Sequence, residues 1–375
     1  MKILSLALVS CVFLISCAKS KAPLMQAPPE KFEKIEIAAG ETKKIQTPKV
    51  NVLFVVDNSG SMKDHQETLR KNIGTFADAF INTPRIDYKI GVVPVYDSRY
   101  LNDDHIYPTA GRRQMNPLGE LVALKNADGS LVGSVPYVTR NTPNAKEVLK
   151  STVALGVQWG PEAEESFSPV LEIIQNEALN ETKNEGFYDK DAYLVVIFLT
   201  DADDVTKGVT SSQFYKSLVA AKGGNREKVL IAAALANPVK RSATCKVDGS
   251  GPAYKFPDLL SVSKAFYADL CSGNFGKAFA EFGQSIADKI ATQRIRINFL
   301  PDVNFELSYG TPDMAETDRQ VVPLDGPGAA VFLPDTNDFI LPSDLAITPL
   351  EGGEIYIKAT PIQIRNAGTG RLKTL

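Results

Sequence analysis

Histidine, tryptophan and cysteine are scarce in this chain: its 375 residues hold two histidines, one tryptophan and four cysteines. Cys11 and Cys17 fall in an apolar leader, which leaves Cys245 and Cys271 for the body of the protein. With His65 and His105 as the only imidazoles, a structural zinc site built from Cys and His is excluded. Strong charge of one sign is also missing. A net charge of −3 gives no reason to expect nucleic acid or an anionic lipid surface as partner. Beyond the leader no apolar run is long enough to cross a bilayer. What remains is an ordinary core-forming composition, sufficient for one large or two modest domains.

The leader itself is informative. Met1-Lys2 and the apolar stretch from Ile3 to Ile15 form the charged and hydrophobic regions of a secretory signal. It ends in Leu14-Ile15-Ser16-Cys17, which looks like a bacterial lipobox, and that likeness makes Cys17 the lipidated first residue of the mature protein. Ala18 and Lys19 resemble the residues that follow the cysteine in outer-membrane lipoproteins. The expected location is therefore the outer membrane, with attachment through the N-terminal lipid only and at either face. Residues 1–16 are expected as the signal and 17–48 as a tether rich in Lys, Pro and Ala. Outside the cytoplasm, Cys245 and Cys271 are expected to be joined; two buried thiols are the alternative.

From residue 49 onward, buried-strand and helix patterns alternate. Val52 to Val56, Ile86 to Val95, Tyr193 to Leu199 and Lys228 to Leu235 are short apolar runs of the kind found in strands covered on both faces. Leu69, Ile73, Phe76 and Phe80 recur at helical spacing, so Asp64 to Ile81 reads as an amphipathic helix. Helices are expected near Ala145 to Ala154, Ala163 to Asn180, Ser211 to Ala221 and Pro257 to Leu270, and a last one is striped by Phe275, Phe279, Phe282, Ile286 and Ile290. This order predicts an α/β fold, a doubly wound and mostly parallel sheet over 49–291, with an insertion at about 96–143. Near Thr292 the period changes to two, and 292–375 reads as a small antiparallel β unit. Ile35 to Gln46 carries a short leading pair of strands.

The chemistry sits at the ends of two of these strands. The first stops at Asp57-Asn58-Ser59-Gly60-Ser61, placing a carboxylate and two hydroxyls where open α/β sheets bind ligands. Oxygen donors of this kind suit Mg²⁺, Mn²⁺ or Ca²⁺. The segment resembles the DxSxS signature of von Willebrand factor A (vWA) domains with a metal-ion-dependent adhesion site (MIDAS), and the resemblance covers most of the mature chain. It implies a Rossmann-like vWA fold, with Asp57, Ser59 and Ser61 as metal ligands. Asp201 joins them from Thr200-Asp201, where such domains carry Thr-Asp-Gly. Asp203 and Asp204 form a charged turn, with a second, weaker cation site as the alternative. The third loop, Gly156 to Ser166, lacks the usual threonine; Glu164 takes that place by resemblance to secreted bacterial vWA proteins, with complementation of the next helix's dipole as the alternative and Ser166 as the fallback ligand. Trp159 lies on this loop as a contact anchor or a packed ring, and His65 is expected as a surface side chain.

The resemblance implies a metal-dependent contact with a protein ligand presenting an Asp or Glu, in an adhesion or surface-interaction protein of the cell envelope. A periplasmic assembly or chaperone-like factor docking on an envelope complex is the second reading. A metal-dependent enzyme is the third and is not expected, because no nucleophile–base pair stands out and Asp57 and Asp201 are committed to the ion.

Overall fold

The computed structural model describes residues 32–37, 41–98, 117–157, 163–236, 255–272, 275–298, 303–361, 363–365 and 372–374. The signal, Cys17, His105, Trp159 and Cys245 lie outside the described residues.

Two strands, β1 (Phe32–Glu36) and β2 (Thr42–Ile45), precede the α/β unit. That unit is built on β3 (Lys49–Val56), β4 (Asp87–Pro94), β5 (Tyr137–Val138), β6 (Tyr193–Thr200), β7 (Val229–Leu235) and β8 (Phe266–Asp269). They form a six-stranded sheet in the order β5-β4-β3-β6-β7-β8, parallel throughout except for β5 at one edge. Burial on both faces follows from the period of two along each strand. In β3, Val50, Val52, Phe54 and Val56 enter one core, while Leu53 and Val55 enter the other. α1 (Lys63–Ile81), α2 (Ala145–Val153) and α7 (Phe275–Ala291) supply side chains to the first core. α3 (Phe167–Gln175), α5 (Ser211–Ala221) and α6 (Lys255–Ser263) supply the second, and the short α4 (Glu177–Glu181) follows α3. Phe76 meets Phe54 edge-on at 5.2 Å on one side, and Phe167 stacks on Phe214 at 4.1 Å on the other. The doubly wound, mostly parallel sheet expected from the strand pattern is the fold observed.

Two helices are shorter than expected: the one over Ala163 to Asn180 is divided at Asn176 into α3 and α4. The Pro257 to Leu270 pattern splits into α6 and β8, the sixth strand of the sheet. Lys264 takes a left-handed φ of 51°, and the Ala265 N–H closes the helix on Leu260 O at 3.1 Å. A left-handed residue ends a helix most readily as glycine or asparagine; a lysine there leaves no sequence signal.

The tether expectation also needs correction. β1 and β2 do not pair with each other. β1 runs parallel to β9 (Gln293–Asn298), and β2 runs antiparallel to β14 (Glu354–Pro361). With β10 (Val303–Gly310), β11 (Gln320–Val321), β12 (Val331–Leu333) and β13 (Asp338–Leu341) they complete two four-stranded sheets, β1-β9-β13-β12 and β11-β10-β14-β2. The sheets share one core around Ile295, Leu307, Tyr309, Phe339 and Ile357, and Ile37 and Ile45 are buried in it. That apolar cover is why residues 32–36 and 42–45 form strands rather than part of a solvated tether. The α/β unit is thus inserted between β2 and β9 of the β unit. At the junction, Arg85 is buried and donates to Ala291 O at 2.9 Å and Leu341 O at 3.2 Å, while the Tyr309 hydroxyl lies 3.4 Å from Pro84 O.

Candidate metal centre

β3 and β6 are neighbours and end at the same rim, which brings Asp57 and Asp201 together across 144 residues of sequence. Register alone does this: Val56 pairs with Leu199, and the Asp57 N–H donates to Leu199 O at 2.9 Å. Beyond the strand, the Asp57 carboxylate folds its loop. Oδ1 accepts the Ser59 N–H at 2.8 Å, an Asx-type turn. Oδ2 accepts the Thr200 hydroxyl at 2.7 Å, and Thr200 Oγ1 in turn accepts the Ala202 N–H at 3.0 Å. Thr200 therefore joins the first loop to the second and shapes the turn that carries Asp201.

The remaining expected ligands form one chain of oxygens. Ser59 Oγ lies 2.9 Å from Ser61 Oγ, and the Ser61 hydroxyl donates to Asp201 Oδ1 at 2.9 Å. The cis edge of an oxygen octahedron around Mg²⁺, with Mg–O near 2.1 Å, is about 3.0 Å. The two consecutive separations match that edge, so these oxygens fit a small divalent cation once the hydroxyl protons turn outward. Asp57 is fully buried and both its oxygens are engaged, yet a carboxylate offers about four lone-pair sites, so capacity remains for an ion or for a water bound to it. Ser61 is half-buried, Gly60 is exposed, and a Cβ at Gly60 would meet nothing within 4 Å, so solvent reaches this end of the site. Among the described residues no group of three or more His, Cys, Asp or Glu gathers to hold a metal. The candidate centre is of another kind, two carboxylates and two hydroxyls.

In the described part of the third loop, the Glu164 carbonyl accepts the Val205 N–H at 3.1 Å. Its neighbour Glu165 makes a two-way backbone bridge with Tyr96 and accepts from the Ser98 N–H at 3.1 Å. Ser166, the fallback, stands at the start of α3 with its hydroxyl buried and without a hydrogen-bond partner. An orphaned buried hydroxyl costs roughly 1–3 kcal/mol unless something satisfies it.

Asp203 and Asp204 cap two helices. Asp203 accepts the Lys255 and Phe256 N–H groups at 3.1 and 3.0 Å, at the start of α6. Asp204 accepts the Ser166 and Phe167 N–H groups at 2.8 and 2.9 Å, at the start of α3, and pairs with Lys255 Nζ at 2.9 Å. Burial pushes the Asp204 carboxyl above its ordinary value, against the opposing pull of Lys255, Thr206 and the Phe167 N–H. Thr-Asp-Ala-Asp-Asp thus serves three tasks within five residues: a loop clasp, a candidate metal ligand and two helix caps.

Sequence reasoning missed Gln66. It occupies a buried position on the apolar stripe of α1, three residues before Leu69, and its amide bonds to both Asp57 and Gly156. A glutamine where the stripe calls for an apolar residue was the available signal. His65, expected at the surface, is half-buried, and burial lowers its imidazole pKa against the pull of Asp64. The described part of the insertion runs up beside β4, adds β5 to the sheet edge, and turns through an exposed hairpin around Asp128-Gly129. Cys271 is disulfide-bonded; its expected partner Cys245 lies outside the described residues.

No family model and no curated protein matches the chain. Solved structures do. The pilus adhesin SpaC of Lactobacillus rhamnosus GG, in its open conformation, is 10% identical over 88% of this chain and 40% of its own, with a TM-score of 0.36. Proximal thread matrix protein 1 of the mussel byssus, with a zinc-occupied MIDAS motif, is 11% identical over 67% of this chain and 50% of its own, at a TM-score of 0.36. The ArnB paralog VWA2 of Sulfolobus acidocaldarius is 8% identical over 89% of this chain and 66% of its own, at 0.30. This chain spans less than two thirds of the length of each. Similarity this low adds nothing about the site. Strand order makes the α/β unit a doubly wound, Rossmann-like fold, with the loops that end β3 and β6 at one rim.

Proposed function

We propose that the chain is a cell-envelope lipoprotein whose α/β unit binds a protein ligand through a divalent cation. Asp57, Ser59, Ser61 and Asp201 hold the ion, which is Mg²⁺, Mn²⁺ or Ca²⁺. The observation that carries this reading is the continuous oxygen chain Ser59–Ser61–Asp201 at the rim of two adjacent strands, with its solvent-facing end at Ser61 and Gly60. Two carboxylates only neutralise a divalent ion, so the bound ion offers an electrophilic position that a partner's Asp or Glu can occupy. The chain's own groups do the rest. Thr200 and the Ser59 N–H orient the Asp57 carboxylate, and the helix caps Asp203 and Asp204 fix the turn from which Asp201 projects. Ser166 Oγ or Glu164 supplies the third loop's donor. On this reading the protein is not an enzyme, Cys17 carries the lipid, and Cys245 is the partner of Cys271.

The test is metal titration read by melting temperature. Native protein is expected to gain stability with Mg²⁺ or Mn²⁺, by about 2.7 kcal/mol at one hundred times the dissociation constant. Ser61→Ala and Asp201→Asn should lose that gain while their metal-free melting stays close to native. A partner captured from envelope extract in Mg²⁺ should be released by EDTA; equal capture in EDTA would refute the metal-bridged contact. Protease added to intact cells reports which face displays the domain.

A further inference from the structure

Gln66 is 4% exposed and sits in α1 with its amide used at both ends. Nε2 donates to Asp57 O at 2.9 Å and to Gly156 O at 3.3 Å, while Oε1 accepts the Gly156 N–H at 2.8 Å. Only one orientation of the amide satisfies this set. Flipped, its NH₂ would face the Gly156 N–H, and its oxygen would face two carbonyls. The side chain therefore imitates a peptide unit and joins loops at Asp57 and Gly156, 99 residues apart, as a strand neighbour would. Gly156 receives it with φ at +80°, a conformation that suits glycine.

The two loops it joins are those that matter at the rim. Asp57 begins the loop bearing Ser59 and Ser61, and Gly156 begins the loop leading to Glu164 and Ser166. We infer that Gln66 is a positioning residue of the metal centre: it touches neither ion nor partner, and it holds the Asp57 loop and the Gly156 loop in the mutual register the ion requires. This inference rests on the metal-binding reading above. Without the amide, one carbonyl on the first loop and both backbone groups of Gly156 must find water, and water entering there separates the loops. Groups that orient metal ligands in this way typically change metal affinity by 10- to 100-fold when removed.

The experiment measures Mn²⁺ affinity by calorimetry, the water-proton relaxivity of the bound ion, and the metal-free melting temperature, in native protein, Gln66→Met and Gln66→Asn. Met keeps the volume and removes all three bonds. Asn keeps the amide but is one carbon too short to span both loops, and it serves if Met does not fold. Mn²⁺ affinity is expected to fall roughly 10- to 100-fold in Met and by less in Asn. Relaxivity per bound ion should rise, because water replaces donors the loops no longer present. A purely structural Gln66 would lower the melting temperature and leave the affinity and relaxivity of the folded protein unchanged, and that result overturns the inference. Native protein that binds no Mn²⁺ refutes the metal reading and the role of Gln66 together; native binding matched by the variants refutes the role of Gln66 alone.

Discussion

Asp204→Asn tests whether the second loop is held by charge or merely by shape. In the native protein Oδ1 accepts the Ser166 and Phe167 N–H groups and the Thr206 hydroxyl, at 2.8, 2.9 and 2.7 Å. Oδ2 accepts the Thr206 N–H at 3.1 Å and Lys255 Nζ at 2.9 Å. Asparagine can keep one oxygen, and the side facing α3 makes better use of it. The new NH₂ then points at the Thr206 N–H and the Lys255 ammonium, two donors against a donor. Breaking a buried ion pair from one side costs about 3–5 kcal/mol. Lys255 retains 24% side-chain exposure and a bond to the Thr206 carbonyl, so its ammonium is partly relieved by water. The expected loss is therefore about 2–4 kcal/mol. Asp203→Asn is the comparison: it removes one of two N–H acceptors from a half-buried cap and should cost about 1 kcal/mol. The assay is equilibrium urea denaturation followed by the helical far-UV signal, which reports the α/β unit because every described α-helix lies there. A double-mutant cycle with Lys255→Met should give a coupling of about 1–3 kcal/mol. A loss no larger for Asp204→Asn than for Asp203→Asn, or a coupling near zero, would show that Lys255 is not held by this carboxylate.

Two further outcomes are expected. In the β unit, Asp338 lies between Arg294 and Arg296, with Nε–O distances of 2.8 Å to each, and the Arg296 guanidinium, followed by Thr336 and Arg294, holds its carboxyl well below the usual range. A carboxyl depressed in the folded state stabilises above its unfolded pKa, near 4, and loses that contribution as pH falls through its folded value. The melting-temperature gap between native protein and Asp338→Asn should therefore be widest at neutral pH and close progressively below about pH 4; a gap that widens in acid contradicts the pairing. The proposed Cys245–Cys271 bond would close a loop of about 25 residues and contribute roughly 2–4 kcal/mol. Intact-mass measurement after alkylation without reductant checks it: two alkylated thiols rule the bond out.

What was legible in the sequence is what local pattern and chemistry determine by themselves. Val52 to Val56 and Tyr193 to Leu199 could only be strands buried on both faces, because no polar side chain interrupts them. The Asp57-Ser59-Ser61 spacing is an oxygen-rich stop at the end of one such run, and Asp201 was placed at the end of the other by its resemblance to the Thr-Asp-Gly of vWA domains. The carboxylate and hydroxyl donors by themselves point to hard cations, and the scarcity of cysteine and histidine excludes a structural zinc site. The turn at Asp203-Asp204 could be recognised as charged, though not what each carboxylate holds.

Tertiary structure decided everything that depends on partners distant in the chain. The leading strands over Ile35 to Gln46 were legible, but not their partners: β1 and β2 pair with β9 and β14 rather than with each other, because those strands offer them edges and an apolar core. β8 was hidden because Phe266–Asp269 is four residues long and follows a helix ended by a lysine at positive φ, and only the open edge of β7 makes it a strand. Gln66 carries no meaning until α1 is laid on the sheet and its amide falls between Asp57 and Gly156. Hydrophobic periodicity reports which face a residue presents. Hydrogen bonds between loops 90 or more residues apart depend on sheet order and helix placement, which no local window contains.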